Sequence, residues 1–482
     1  MKYVHKSKDF IMPEQLKSLL PVPGAPPGGQ FRHNFSGTIT MTPVTADAII
    51  AARWILPVEP ARAVLADHAV VIDGGRITAL LPTTEAHARY RTKRQITLAD
   101  HVLIPGLINL HTHAAMTLLR GLADDLALMD WLNNHIWPAE ARHVSESFVH
   151  DGTLLACAEM LRGGITCFND MYFFPGAAAR AALAAQMRAA IGMIVIEFPT
   201  AYAADAQDYL DKGLATRDAL KHEPLLSFCF APHAPYTVGD KGLSQIATYA
   251  NELDLPVHMH VHETRDEIDH SLKQFKTRPL QRLASLGLVN PNLIAVHAVH
   301  LEPDEIVLLA QNGCHVAHCP SSNLKLASGF APIAALLKAS VNVGFGTDGA
   351  ASNNRLDLLE EMRLATLVAK GTSGDPTALP AWQAIKAATL NAAHALGLET
   401  QIGSLVVGKY ADLAAVRLSD IELSPCYDVA SHLAYAVGRE HVTHVWVNGK
   451  LLMENRNLTA LDLTELHAKA ALWRNRIRNI NS

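Results

Sequence analysis

Apolar residues fall along this chain in short runs, and the spacing inside the runs changes twice. Residues 1–42 have no core periodicity and hold the Pro/Gly stretch PVPGAPPGGQ at 21–30, the composition of a linker. We read 1–42 as a disordered N-terminal tail. From Ala46, ADAIIAARWILPV and HAVVIDGGRITALLP are strand-like, with a turn at Gly74-Gly75. The same texture returns at KYADLAAVRL (409–418) and HVTHVWVNGKLLME (441–454), where Asn448-Gly449 signals a hairpin. The two β-rich flanks, 43–104 and 403–460, are expected to pair into one small β-sandwich. A helix should close the chain over 461–482. Leu466, Ala470, Trp473, Ile477 and Ile480 keep helical spacing, with Thr464 as the expected N-cap.

Between the flanks, over 105–402, continuous apolar runs alternate with helical stretches. The runs are 102–113, 164–173, 191–198, 225–236, 255–263, 292–301, 314–320 and 341–349. Apolar strands flanked by helices indicate a parallel sheet buried on both faces. Eight such units in an α/β pattern predict a (β/α)₈ TIM-like barrel, with a doubly wound open sheet as the alternative.

Composition narrows the classes. With 482 residues and 49% apolar content, roughly three quarters of the unfolded surface can be buried. A net charge of −5 gives no electrostatic footprint for nucleic acid or an anionic membrane. No apolar run is long enough to span a bilayer. The six cysteines form no C-x-x-C pair, which suits thiols in a reducing compartment and a cytoplasmic protein. The expected partner is a small molecule, and homo-oligomerisation is left open.

Polar residues stand mostly at the C-terminal ends of the eight runs: His111 and His113, His233, His260 with Glu263, His297 with His300, and Asp348. In a (β/α)₈ barrel those ends converge on the mouth that hosts the active site. Three His-x-His spacings occur among 25 histidines, where chance gives roughly one, so the spacing alone is weak. The strand-end position adds weight, because two histidines at i and i+2 share a face and can hold one ion. Imidazoles with a carboxylate suit Zn²⁺, with Fe²⁺ or another divalent ion able to substitute, one per chain. GFGTDG (344–349) and GSLVVGKY (403–410) only approximate dinucleotide-binding and P-loop motifs.

PGLINLHTH, HMHVHET, AVHAVHL and GTDGAASNN, in that order, resemble the amidohydrolase superfamily. Within it they resemble the branch of methylthioadenosine/S-adenosylhomocysteine deaminases and related triazine chlorohydrolases. The resemblance covers about 45–455 and implies a barrel with a sandwich built from both flanks. It implies His111, His113, His260 and Asp348 as metal ligands, with Asp348 also catalytic. Glu263 would be the proton shuttle, and His297 would polarise the attacking water, while His300 would be structural. It further implies Glu140 and His233 as holders of ribose and purine, with Ser352 and Asn353 lining the pocket; Trp131, Trp137 and Phe330 are expected at the same mouth, as aromatic surface for a flat base and a thioether. The reaction implied is hydrolytic loss of the purine 6-amino group. The alternative is an aminohydrolase or chlorohydrolase of a free ring such as guanine, a pterin or a triazine. Cationic groups would hold the tail of S-adenosylhomocysteine. The one arginine between Ile191 and His233 is Arg217, which matches no family position. Methylthioadenosine and adenosine are therefore expected ahead of the homocysteine adduct.

Overall fold

A computed structural model describes residues 43–478. The tail expectation for 1–42 and the anchor Ile480 lie outside them. Eight parallel strands succeed one another in chain order around a barrel. They are β1 (Leu107–Thr112), β2 (Ile165–Tyr172), β3 (Arg188–Val195), β4 (Leu226–Pro232), β5 (Val257–Val261), β6 (Leu293–His297), β7 (His315–His318) and β8 (Asn342–Phe345). β2 and β3 are buried along their whole length, as continuous apolar runs require when helices cover one face and the interior the other. Ladders join each strand to the next from β1 to β8. Between β8 and β1 the junction is made by individual bonds: Asp348 N–H to His111 O at 3.0 Å, and Asn109 to Thr347 at 2.7 and 3.0 Å. The helix Leu390–Ala395 wedges in below, where Asn391 Nδ2 donates to Val343 O at 3.1 Å.

The flanks build one eight-stranded sheet rather than two separate ones. Its middle strand, Arg94–Pro105, lies antiparallel to Leu413–Arg417 on one side and parallel to Ala48–Ile55 on the other. The sheet curls on itself, because the hairpin tips from its two halves touch. A β-carbon on Gly75 (φ +77°) would sit 2.8 Å from Asn448 O. Ile50, Ile72, Leu103, Leu413 and Trp446 fill the inside of the curl. Arg94–Pro105 passes through the single residue Gly106 into β1. Beneath the barrel, buried Arg188 grips buried Asp412 through two bonds of 2.9 and 3.2 Å.

The closing helix runs Leu463–Arg478, with Leu466, Trp473 and Ile477 buried. Its N-cap is Asp462, not Thr464: Asp462 Oδ1 accepts from the Thr464 and Glu465 amides at 2.8 and 3.4 Å. A carboxylate one residue before the first turn both caps it and complements the helix dipole. Among the described residues no helix is long and apolar enough to cross a membrane.

Candidate active site

The C-terminal ends of the barrel strands open into a cavity of about 460 Å³. On its floor, Asp348 Oδ1 lies 3.2 Å from His111 Nε2 and 3.2 Å from His113 Nε2. His260 Nε2 is 3.2 Å from His111 Nε2. Strand alternation points His111 and His113 the same way off β1, and His258 and His260 off β5. The alternation stops at His262, whose φ of +57° turns the chain away, so the third His-x-His spacing does not join the cluster. Each ring is oriented through its other nitrogen. His111 Nδ1 meets His258 Nε2 at 2.8 Å, His113 Nδ1–H donates to Met171 O at 2.5 Å, and His260 Nδ1–H donates to His233 O at 2.7 Å.

This donor set fits a divalent cation. His111 belongs to two trios whose ligand atoms lie within 4.8 Å of one another, one with His113 and Asp348 and one with His260 and His297, and the outer partners of His111, His113 and His260 leave their Nε2 lone pairs facing inward. The cluster also attracts positive charge. Burial opposes protonation of His113, yet the hydrogen bond and charge of Asp348 raise it to about 9. Burial likewise opposes ionisation of Asp348, but the hydrogen bonds of His111 and His113 hold it well below its ordinary value. His111, with no exposed surface, is pushed by burial down to about 4.

Glu263 follows β5 and is buried; burial raises its pKa. Glu267 accepts both the His262 and Glu263 amides, at 2.8 and 2.9 Å, and Thr264 caps the helix Arg265–Phe275. The turn that presents Glu263 is thus fixed at both ends. Glu263 Oε2 stands 3.7 Å from His297 Nε2. His297 stacks on His260 with ring centroids 5.3 Å apart. His233 lines the cavity, its Nδ1 3.2 Å from Thr237 Oγ1, and burial depresses it to about 3. His300 turns aside and donates to Ser328 O at 2.8 Å.

Glu140 lies across the cavity on the short helix Trp137–His143. Tyr172 O–H donates to its Oε1 at 2.6 Å, and burial pushes the carboxyl up to about 7. Trp131, Trp137 and Phe198 form an apolar wall, with Trp137 and Phe198 edge to face at 6.3 Å. Ser352 lines the floor and donates to Asp348 Oδ2 at 2.7 Å. Phe330 is 57% exposed and lies outside the cavity lining, because the turn after β7 carries Leu326 inward instead. Asn353 points away to Thr347 O and Glu361. No lysine or arginine lines the cavity among the described residues. Arg217 sits on the outer helix Ala206–Leu220, paired with Asp218.

Four contributors escaped the sequence reading: His258 behind His111, Tyr172 on Glu140, and Ser322 and Asn323 from the short helix Pro320–Lys325. Tyr172 closes β2, and the serine and asparagine follow β7 directly. The strand-end rule would have reached all three had it been applied to uncharged residues.

A parallel eight-stranded barrel with a histidine–aspartate cluster at its C-terminal mouth defines a metal-dependent hydrolase. The chain belongs to the amidohydrolase family, whose model matches residues 102–452. A protein of Teredinibacter turnerae named 5-methylthioadenosine/S-adenosylhomocysteine deaminase is 48% identical over 90% of this chain and 98% of its own length. A protein of the same name from Thermodesulfovibrio yellowstonii is 42% identical over 89% of this chain and 99% of its own. The crystal structure of an adenosine deaminase from Xanthomonas campestris with bound zinc aligns with a TM-score of 0.90 at 49% identity, covering 91% of this chain and 100% of that one.

Proposed function

We propose that this protein hydrolytically deaminates 5′-methylthioadenosine and adenosine at the purine 6-position, releasing ammonia. One zinc ion per chain would be held by His111, His113, His260 and Asp348. The observation that carries this reading is the two-ended cavity. The candidate ion-binding cluster and Glu263 stand at one end, and a carboxylate with an aromatic wall, with no lysine or arginine among the described residues, at the other. The zinc-bound neighbour supports the choice of metal, and the relatives' names support the substrate class.

A bound divalent ion would supply Lewis acidity that lets water ionise near pH ~7. The remaining work falls to the chain. Glu263, within reach of the ring, carries a proton to N1, so that charge does not build up on the purine during attack at C6. Such a transfer contributes about 10²–10⁴-fold. His297 polarises the attacking water, and Asp348 completes the donor set beside it. Glu140 accepts from the ribose hydroxyls, His233 borders the purine, and Trp131 and Trp137 cover the 5′-thioether, an arrangement suited to a flat base with an apolar tail. The six unpaired thiols are in keeping with a cytoplasmic setting.

A substrate panel scored by ammonia release tests this. The expected order in kcat/KM is methylthioadenosine, adenosine, then S-adenosylhomocysteine, whose charged tail meets no lysine or arginine of the cavity lining among the described residues. Guanine or a chlorotriazine outrunning both nucleosides would overturn the substrate assignment and leave the hydrolase class intact.

A further inference from the structure

The two oxygens of Asp348 have different surroundings. Oδ1 lies 3.2 Å from His111 Nε2 and from His113 Nε2, and accepts the Gly349 amide at 2.7 Å. Oδ2 accepts two hydroxyls, from Ser322 at 2.6 Å and from Ser352 at 2.7 Å. These serines come from separate segments. Ser322 lies on the short helix Pro320–Lys325 that follows β7, and Ser352 on the loop that follows β8. A hydroxyl turns to suit its surroundings, so the pair fixes a carboxylate only as well as its own two backbones are fixed.

Glu361 ties those backbones together. It stands on the helix Leu358–Ser373, is buried, and enters no ion pair among the described residues. Taking a carboxyl out of water costs free energy that its hydrogen bonds must return. Oε2 accepts the Ser321 amide at 3.0 Å, and Oε1 accepts Asn353 Nδ2 at 2.7 Å. Each of these donors is the chain neighbour of a serine that holds Asp348. Asn353 Nδ2 also donates to Thr347 O at 2.7 Å, one residue before Asp348. The same carboxyl complements the N-terminus of Pro320–Lys325, a contribution to the fold that any test must separate.

We propose that Glu361 is a positioning residue for Asp348: by holding Ser321 and Asn353 it keeps the Ser322 and Ser352 hydroxyls on Oδ2, so that Asp348 offers the ion-binding cluster Oδ1 alone. This rests on the donor set proposed above. A catalytic site must leave a coordination position for water. A carboxylate free to swing both oxygens inward would take that position.

Zinc release separates this role from support of the fold. Zinc-loaded protein is mixed with excess chelator and the release rate followed, with kcat and KM measured beside it. Glu361→Gln keeps the size and one acceptor but sets an NH2 group against a donor. It should release zinc about 10-fold faster, the lower end of the range for groups that orient metal ligands. Its kcat should fall about as much, with KM within about threefold. The protein carrying Ser322→Ala and Ser352→Ala should also release zinc faster. In that background Glu361→Gln should add less than about twofold, because the route to Asp348 is already gone. A residue that only supports the fold would give the same factor in both backgrounds. Equal factors, or release at the wild-type rate in Glu361→Gln, would overturn this proposal and leave the donor set standing. If Glu361→Gln does not fold, Glu361→Asp, one methylene short of reaching both donors, takes its place in the same comparison. If wild type holds no zinc, the donor set falls and the proposal with it.

Discussion

Removing Glu140 should separate nucleosides from free rings. Its Oε1 already accepts Tyr172 O–H at 2.6 Å, so Oε2 and one remaining lone pair are what a ribose diol can use. A hydrogen bond to a charged acceptor is worth about 1.5–3 kcal/mol, and Glu140→Ala should therefore lower kcat/KM for methylthioadenosine and adenosine by about 10- to 150-fold. Free bases such as guanine, which carry no ribose, should change little. Glu140→Gln keeps an oxygen for Tyr172 and removes only the charge, so its loss should sit at the low end, about 10-fold. The pH dependence follows from the same burial. Desolvation raises the carboxyl from its ordinary value to about 7, so the ionised acceptor is present above that pH and lost as pH falls through it. Nucleoside kcat/KM should decline toward acid through about 7, the limb should vanish in Glu140→Gln, and free rings should lack it. Initial rates of ammonia release across pH 5–9 give all three comparisons. Equal losses for nucleosides and free rings in Glu140→Ala would refute the ribose contact and leave Glu140 a packing residue.

Chelation, His111→Ala or Asp348→Ala should each remove the ion and the activity together, read by metal analysis beside turnover; full activity in metal-free protein would contradict the donor set. Glu263→Gln should keep the metal and lower kcat by roughly 10²-fold, whereas a collapse of metal content would make Glu263 a ligand. Arg188→Met leaves Asp412 charged and buried, which should cost about 3–5 kcal/mol in chemical denaturation. Adding Asp412→Asn should recover part of that loss, and an additive second loss would show that the pair contributes nothing as a pair.

The barrel strands were legible because each is a continuous apolar run between helical stretches, and β2 and β3 are buried end to end as such runs demand. The positions of His111, His113, His260 and Asp348 at strand ends were legible for the same reason. Other features depend on what meets across the fold. His258 was one histidine among three at equal spacing, and only the turn at His262 distinguishes which two point inward. Glu140 was readable as a residue but not as a buried carboxyl raised to about 7 by desolvation while Tyr172 of β2 donates to it. His297 could not be aimed from β6, since alternation would send it outward with Ala295 and left-handed backbone (φ +70°) turns it inward. The flanking sheet was legible as strands, but its curling into one sheet depends on glycine turns separated by more than 370 positions that touch in space. Asp462 and Thr464 both cap helices well, and the sequence does not say which one the backbone will use.

The incomplete ladder between β8 and β1 gives the cylinder a slit, and the proposed ion-binding cluster straddles it. His111 stands on one lip and Asp348 just beyond the other, 3.2 Å apart. A cation gripping both is a rivet as well as a reagent, and its affinity adds to the stability of the closed form by mass action. Heat inactivation should then follow occupancy of the site, with the metal-depleted protein opening first along this slit. Amide exchange at Asn109, His111 and Asp348 should rise before that of β3, whose ladders to β2 and β4 are both unbroken. The reactive end of the molecule is thus also its least continuous wall, and one ion would keep the wall shut and the chemistry available.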